Sequence, residues 1–391
     1  MIHIAEVIAK MMSSQDNEPC PCMSGRLFKN CHKLKIYNEK ENTKKLFAEL
    51  IKIKRNKECL FGQGFDCDGR IIKAHSISKK FLRDIVSADN HVYSFIKAAK
   101  SMAKLNELFE GGMLPDPDRI GLNDVTTFNG LCEKHDNNLF ECFEKRPFEC
   151  SMDQIKALHL RPVLKEIFVK TEMLMTMTEA QKSIGKAYDG IIAEEKNALS
   201  LIMSLGSELS LRDLYVELGL TRDCILGKIG ERLSYICFEI NGMCPALCSS
   251  TVNPAFDLRG IRIQNYNNEE VFTRSFSFNI VTGSDKYFVL FSWFECDEID
   301  AFFQSLFDRA ESNLVQYLAQ MPFAFSENMV ISIDWYDWLS LIKKERLKKI
   351  FYSDIINIDS GKSTSQEFRR SGFVAGKIKK MTSNSRVPSK E

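Results

Sequence analysis

A chain of 391 residues with 44% hydrophobic content is long enough for two or three domains, each with an apolar core. Its 53 Lys and Arg against 52 Asp and Glu leave a formal net charge of +1, so no global field marks it for nucleic acid or membrane, and such a role must come from local charge. No run reaches the roughly 18 apolar residues of a membrane span, and 13 cysteines behind an opening without a basic start or cleavage site point to a reducing, cytoplasmic compartment, where clustered Cys and His signify metal more often than disulfides.

Residues 2–12 have the apolar spacing of a short amphipathic helix, followed by a polar linker. Residues 18–33 then read Glu-Pro-Cys-Pro-Cys-Met-Ser-Gly-Arg-Leu-Phe-Lys-Asn-Cys-His-Lys, which sets three cysteines and a histidine within 13 residues. So short a segment buries little apolar surface and needs a metal to hold it, and Cys20, Cys22, Cys31 and His32 are the donors that a tetrahedral zinc site requires. Pro19 and Pro21 stiffen the approach and Gly25 permits the turn back. The stretch resembles the SEC-C motif, a small zinc module at the C-terminus of bacterial secretion ATPases and in many otherwise unrelated bacterial proteins; Met23 stands where the motif has its first glycine. The resemblance implies zinc on those four side chains and docking to a protein or ribosome surface.

Between residues 26 and 57 there are 11 Lys or Arg (26, 29, 33, 35, 40, 44, 45, 52, 54, 55, 57) against Glu39, Glu41 and Glu49. Apolar residues at helical spacing over 34–55 predict a basic helix, which serves either as an electrostatic footprint for phosphates or simply as a solvated face. It leads to a second Cys/His cluster. Cys59 and Cys67 bracket a turn containing Gly62 and Gly64, a strand-like run over 70–74 ends at His75, and after 56 residues Cys132-x2-His135 opens a helix.

This order resembles the ββα-metal layout of zinc-bearing HNH-type nucleases. The resemblance implies Cys59, Cys67, Cys132 and His135 as ligands of a structural zinc, His75 as the base that deprotonates the attacking water, and Asp136 or Asn137 as the helix-borne partner of a catalytic Mg2+ or Mn2+. The chain departs from the pattern twice. Its first pair is Cys-x7-Cys instead of Cys-x2-Cys, and Ala74 stands where many relatives carry an Asp or His on the catalytic metal. The competing assignment is a purely structural finger with His75 or His91 as a ligand.

Residues 152–232 are predicted helical from the spacing of Ile155, Leu158, Leu160, Val163, Leu164, Ile167 and Phe168, and of a later run from Ile184 to Met203. Met173, Met175 and Met177 read as gap-filling core or as a partner surface. Alternation around Phe276, Phe278 and Ile280, a turn at Gly283 and an aromatic run over 286–294 predict a hairpin, with an amphipathic helix over 299–321 across it and a further strand at 329–333. Cys237, Cys244, Cys248 and Cys296 lack a nearby histidine and are expected to be buried thiols. Residues 360–391, with eight Lys or Arg against Glu367 and Glu391, are predicted to be a flexible tail.

The expected architecture is α+β and multidomain: a zinc clip over 1–35, a second zinc module over 36–150, a helical region over 151–232, an antiparallel sheet with packed helices over 233–358, and a basic tail over 359–391. Two functions follow. One is a metal-dependent HNH-like nuclease acting on DNA or RNA, directed against foreign nucleic acid. The other is a nonenzymatic zinc-stabilised protein that docks a protein or ribosome partner through the clip or the C-terminal domain. Cys20→Ser is expected to lower bound zinc by about one equivalent while the C-terminal half stays folded, since a metal clip folds on its own ligands; metal analysis beside circular dichroism checks this.

Overall fold

The computed structural model describes residues 15, 17–19, 25–30, 57–62, 67–87, 89–95, 114–187, 190–228, 232–266, 270–283, 285–310, 314–356 and 376–387. Cys20, Cys22, Cys31 and His32, the helices expected over 2–12 and 34–55, and most of the basic tail lie outside the described residues. The chain divides into two compact units, one of residues 1–56 and 170–209, the other of residues 57–169 and 210–391.

In chain order the described elements of the second unit begin with β1 (Ile71–His75), α1 (Lys79–Arg83), β2 (His91–Ser94), β3 (Asp118–Gly121), β4 (Thr127–Cys132) and α2 (Glu133–Glu144). Two long helices, α3 (Met152–Ala187) and α4 (Gly190–Ile225), come next. They are followed by β5 (Leu233–Asn241), β6 (Ala246–Val252), β7 (Phe276–Thr282), β8 (Lys286–Phe294), α5 (Asp297–Ala310), α6 (Leu314–Phe325), β9 (Met329–Ile331), α7 (Ile333–Trp338), α8 (Leu341–Ile356) and β10 (Lys377–Ser383).

The first unit holds the described part of the clip. Gly25, at φ 75°, lets the chain reverse so that Pro19 and Leu27 pair antiparallel, and Phe28 N donates to Glu18 O at 2.8 Å. A 3-10 turn at Phe28–Asn30 closes the loop over buried Phe28. The same unit contains the facing ends of α3 and α4, joined where Ser200 Oγ donates to Met177 O (3.2 Å) and Gln181 Nε2 to Ser204 Oγ (3.2 Å).

The second unit is built on an eight-stranded antiparallel sheet in the order β10-β5-β8-β7-β6-β9-β2-β3, with β1 and β4 forming a separate two-stranded sheet. Every residue of β7 and all but the first of β8 are buried, because helices cover both faces. On one face α5 brings Phe302 and Phe303 against Phe276, Phe291 and Trp293, with ring centroids 4.5–5.1 Å apart. On the other, α3 is fastened by polar contacts: Ser277 Oγ donates to His159 O (2.9 Å) and Asn279 Nδ2 to Leu158 O (3.1 Å).

His159 itself bridges three elements. Its Nε2 lies 2.8 Å from Glu217 Oε1 on α4 and its Nδ1 3.0 Å from Ser292 Oγ on β8. Serine, histidine and carboxylate follow one another as in a hydrolase triad, but His159 and Ser292 are 0% and Glu217 8% exposed, so no substrate reaches the hydroxyl and the row acts as a buried clamp.

Several elements differ from expectation. Residues 377–383 are not tail: β10 pairs with β5 from Lys377↔Asn241 to Ser383↔Ile236, alternation too weak to read in a lysine-rich stretch. Between His75 and Cys132, β2 and β3 complete the large sheet through Tyr93↔Ile331, a pairing that no sequence pattern indicated. The helix expected over 299–321 is two helices, α5 and α6. The strand at 329 stops at Ile331, because the Ser332 hydroxyl caps α7 by accepting from Trp335 N.

Glu217→Ala removes the acceptor from a buried imidazole N–H and is expected to lower unfolding free energy by about 2–3 kcal/mol. Glu217→Gln keeps an acceptor oxygen and should cost less; urea denaturation of the two variants measures the difference.

Candidate metal centre

Cys59, Cys67, Cys132 and His135 converge with their ligand atoms all within 4.8 Å of one another. They arrive from two directions. The segment before β1 supplies Cys59 and Cys67, folded tightly because Gly62 N donates to Cys59 O at 3.0 Å. A Cβ on Gly62 would stand 3.1 Å from Cys67 Sγ and 3.3 Å from Cys59 Cβ, so this glycine lets the backbone approach the cluster. The second pair sits where β4 becomes α2, with Cys132 as N-cap, its sulfur accepting from His135 N.

His135 Nδ1 is 3.3 Å from Cys59 Sγ and 3.2 Å from Cys132 Sγ. Tetrahedral zinc, with thiolates at about 2.3 Å and imidazole nitrogen at about 2.0 Å, holds its donors roughly 3.5 Å apart, so the spacing and the Cys3His set both suit zinc. Burial pushes the Cys132 thiol up to about 12. It therefore keeps its proton until a cation displaces it, and metal uptake must release protons. Phe61 lies edge-on to the His135 ring at 5.2 Å, with the Arg222 guanidinium 5.5 Å from the Phe61 ring centroid.

β1 and β4 run antiparallel, pairing Ile71 with Cys132 and His75 with Thr127, and α2 follows directly. The result is a pair of strands and a helix over the Cys3His cluster. His75 stands at its strand end, outside the cluster, as does His91, whose Nδ1 faces the Asp89 carbonyl at 2.8 Å. His75 Nε2 is 3.2 Å from the Leu122 carbonyl oxygen. A carbonyl only accepts, so this contact places the proton on Nε2 and leaves the lone pair on Nδ1.

Burial, helped by the charges of Lys79, Arg161 and Lys73 and opposed by the Leu122 carbonyl, brings the His75 imidazole down to about 4. The strand end is held from behind, where Ser76 Oγ donates to Thr126 O (2.7 Å) and Asn328 Oδ1 (3.0 Å). Basic side chains surround it. Lys73 pairs with Asp124 at 2.7 Å, and Lys165 Nζ donates to Thr127 O at 3.3 Å.

Asp136 is placed differently from the role its resemblance implies. It is buried, 3.5 Å from Arg161 Nη2, and that guanidinium also donates to Glu144 at 2.6 Å and lies 4.0 Å from the Phe140 ring centroid. Burial holds the Asp136 carboxyl above its usual range, against the pull of Arg161. Asn137 is exposed on the outer side of α2. Ala74 is buried, and among the described residues no group of three or more His, Cys, Asp or Glu gathers beyond the Cys3His cluster. The residues around His75 thus do not supply the acids that a second, catalytic Mg2+ or Mn2+ would need.

Arg161 and Lys165 were not singled out by sequence spacing. The available signal was charge inside the apolar run of α3, where a polar side chain on a buried face demands a partner.

The family model described as SEC-C motif matches residues 17–33. No curated protein and no solved structure matches the chain. Among the described residues no helix is long and apolar enough to cross a membrane.

His75 takes up a proton more readily unfolded, near its ordinary value of about 6.5, than folded, near 4. Its contribution to stability is therefore complete above pH 6.5 and lost as pH falls towards 4. The stability deficit of His75→Asn relative to the parent should accordingly shrink over that interval. Urea midpoints of both proteins at matched pH check this, and the comparison cancels the acid sensitivity of the thiol cluster they share.

Proposed function

We propose that residues 57–145 form a zinc-centred ββα module that engages nucleic-acid phosphodiesters, with one zinc on Cys59, Cys67, Cys132 and His135 and a second in the SEC-C motif. The zinc is structural: it ties the turn before β1 to the β4–α2 junction and so fixes the hairpin that presents His75. His75 carries the assignment to an HNH-like nuclease acting on DNA or RNA. It lies outside the zinc cluster, its Nε2 faces a backbone carbonyl, and its environment includes Lys73, Lys79 and Arg161. A neutral imidazole held this way keeps its Nδ1 lone pair to accept a proton from an attacking water, and exposed Lys79 adds positive charge beside it.

A second reading is favoured by a different observation. Ala74 lies buried where an acid would serve a catalytic cation, and Asp136 is engaged by Arg161. On that reading the module binds without cutting, and the chain acts as a zinc-stabilised interaction protein.

The experiment is a cleavage assay on labelled DNA and RNA, each with and without added Mg2+ or Mn2+, comparing the parent with His75→Ala. The nuclease reading expects cutting by the parent and at least a roughly 100-fold loss in the variant, the scale of a lost general base, with two zincs per chain retained. Undiminished cutting by His75→Ala removes His75 as the base. Binding without cutting by the parent establishes the second reading.

A further inference from the structure

We propose that the outer face of α4 over residues 198–209 is a dimer seam, covered in solution by the same helix of a second copy of this chain packed parallel to it. The whole stretch lies in the first compact unit.

The helix is built inside out here. An amphipathic helix of a globular protein turns its apolar stripe to the core and its polar residues to water. Along this stretch the buried side chains include Ser200, Ser204 and Ser207, which are 5%, 8% and 6% exposed. Two of them reach α3, where Ser200 Oγ donates to Met177 O and Ser204 Oγ accepts from Gln181 Nε2; Ser207 Oγ turns back to Met203 O of its own helix at 2.9 Å. On the opposite side Leu201, Ile202 and Leu205 are 58%, 64% and 47% exposed, Ala198 is exposed and Leu209 half-buried. The eleven residues 197–207 carry no charge, although a helix face made for water is rich in charge. Burial thus follows serine and exposure follows leucine, an arrangement that leaves apolar surface in water unless a partner covers it.

Spacing selects the partner. Ala198, Ile202, Leu205 and Leu209 follow one another at intervals of four, three and four, the d-a-d-a seam of a coiled coil. At the centre of the seam a β-branched residue, Ile202, holds the a position and a leucine, Leu205, the d position, the combination that favours two parallel strands. In that register each seam residue meets its own counterpart across the two-fold axis. Leu201, at g, then comes beside the partner's Gly206, at e five residues further on. A Cβ added to Gly206 would meet no atom within 4 Å, so there is room for that leucine. Two free segments of this length would pair only marginally, because a short helix must first be nucleated. Here the seam sits within a helix of 36 residues already held along α3, and the second copy docks on a formed surface.

The test is sedimentation velocity on the full-length protein, prepared with zinc, from nanomolar to high micromolar concentration. A reversible monomer–dimer equilibrium is expected. Ile202→Glu and Leu205→Glu should each raise its dissociation constant at least about 30-fold, the scale of one interface hot spot, while Ile342→Glu, at an equally exposed position on α8, leaves it unchanged. Mild oxidation of Leu205→Cys should give a peptide that joins position 205 of one copy to position 205 of the other. A parent that stays monomeric at every concentration overturns the proposal, and a lower melting temperature of Leu205→Glu in that monomer assigns the face to another part of the same chain. A dimer that both seam variants leave intact also overturns it, and a seam dimer without the 205–205 link overturns the parallel register.

Discussion

Three thiols and an imidazole crowded within 4.8 Å form an arrangement that apolar packing alone gives a chain no reason to adopt. The Cys3His set is one that a cation could hold, and donors drawn onto an ion would bring the chain segments between them together. From that point the local geometry follows. The turn at Gly62 can close only without a side chain, Cys132 must cap α2 while it faces the cluster, and β1 must pair with β4 so that Ile71 meets Cys132. His75 is carried to the far end of the same hairpin, which separates the donor cluster from the strand-end imidazole.

The hairpin is not an appendage. Its long connection gives β2 and β3 to the large sheet, and Ser76 reaches Asn328 across the break between the two sheets. The sheet in turn is clasped by α3 through His159, and α3 also provides Arg161, which occupies Asp136. A chain of contacts therefore runs from the Cys3His cluster through α2 and α3 into the sheet, all within one compact unit. It also explains why Asp136 does not face the solvent side of the module: a buried guanidinium needs carboxylates, and α2 supplies two of them in Asp136 and Glu144.

The environment of His75 sets limits on its chemistry. A value near 4 keeps the imidazole neutral across the physiological range, which suits a proton acceptor and makes it a weak one. The nearby basic side chains are themselves engaged, Lys73 by Asp124 and buried Arg161 by Asp136 and Glu144.

The Cys3His cluster was legible in the sequence, because donor identity and short-range spacing are local: Cys132-x2-His135 at a helix start and the cysteine pair before a strand point to one cluster without any knowledge of the fold. The buried helices and the β7–β8 hairpin were legible for the same reason, since periodicity of 3.6 or 2 is written over a few residues. What only the tertiary structure decided is every partnership made over long separations. The diversion of Asp136 to Arg161, the Nε2 contact of His75 with Leu122, the recruitment of β10 to an edge strand, and the clamp of His159 on Glu217 and Ser292 all depend on which surfaces the chain buries together, and no short window of residues encodes that.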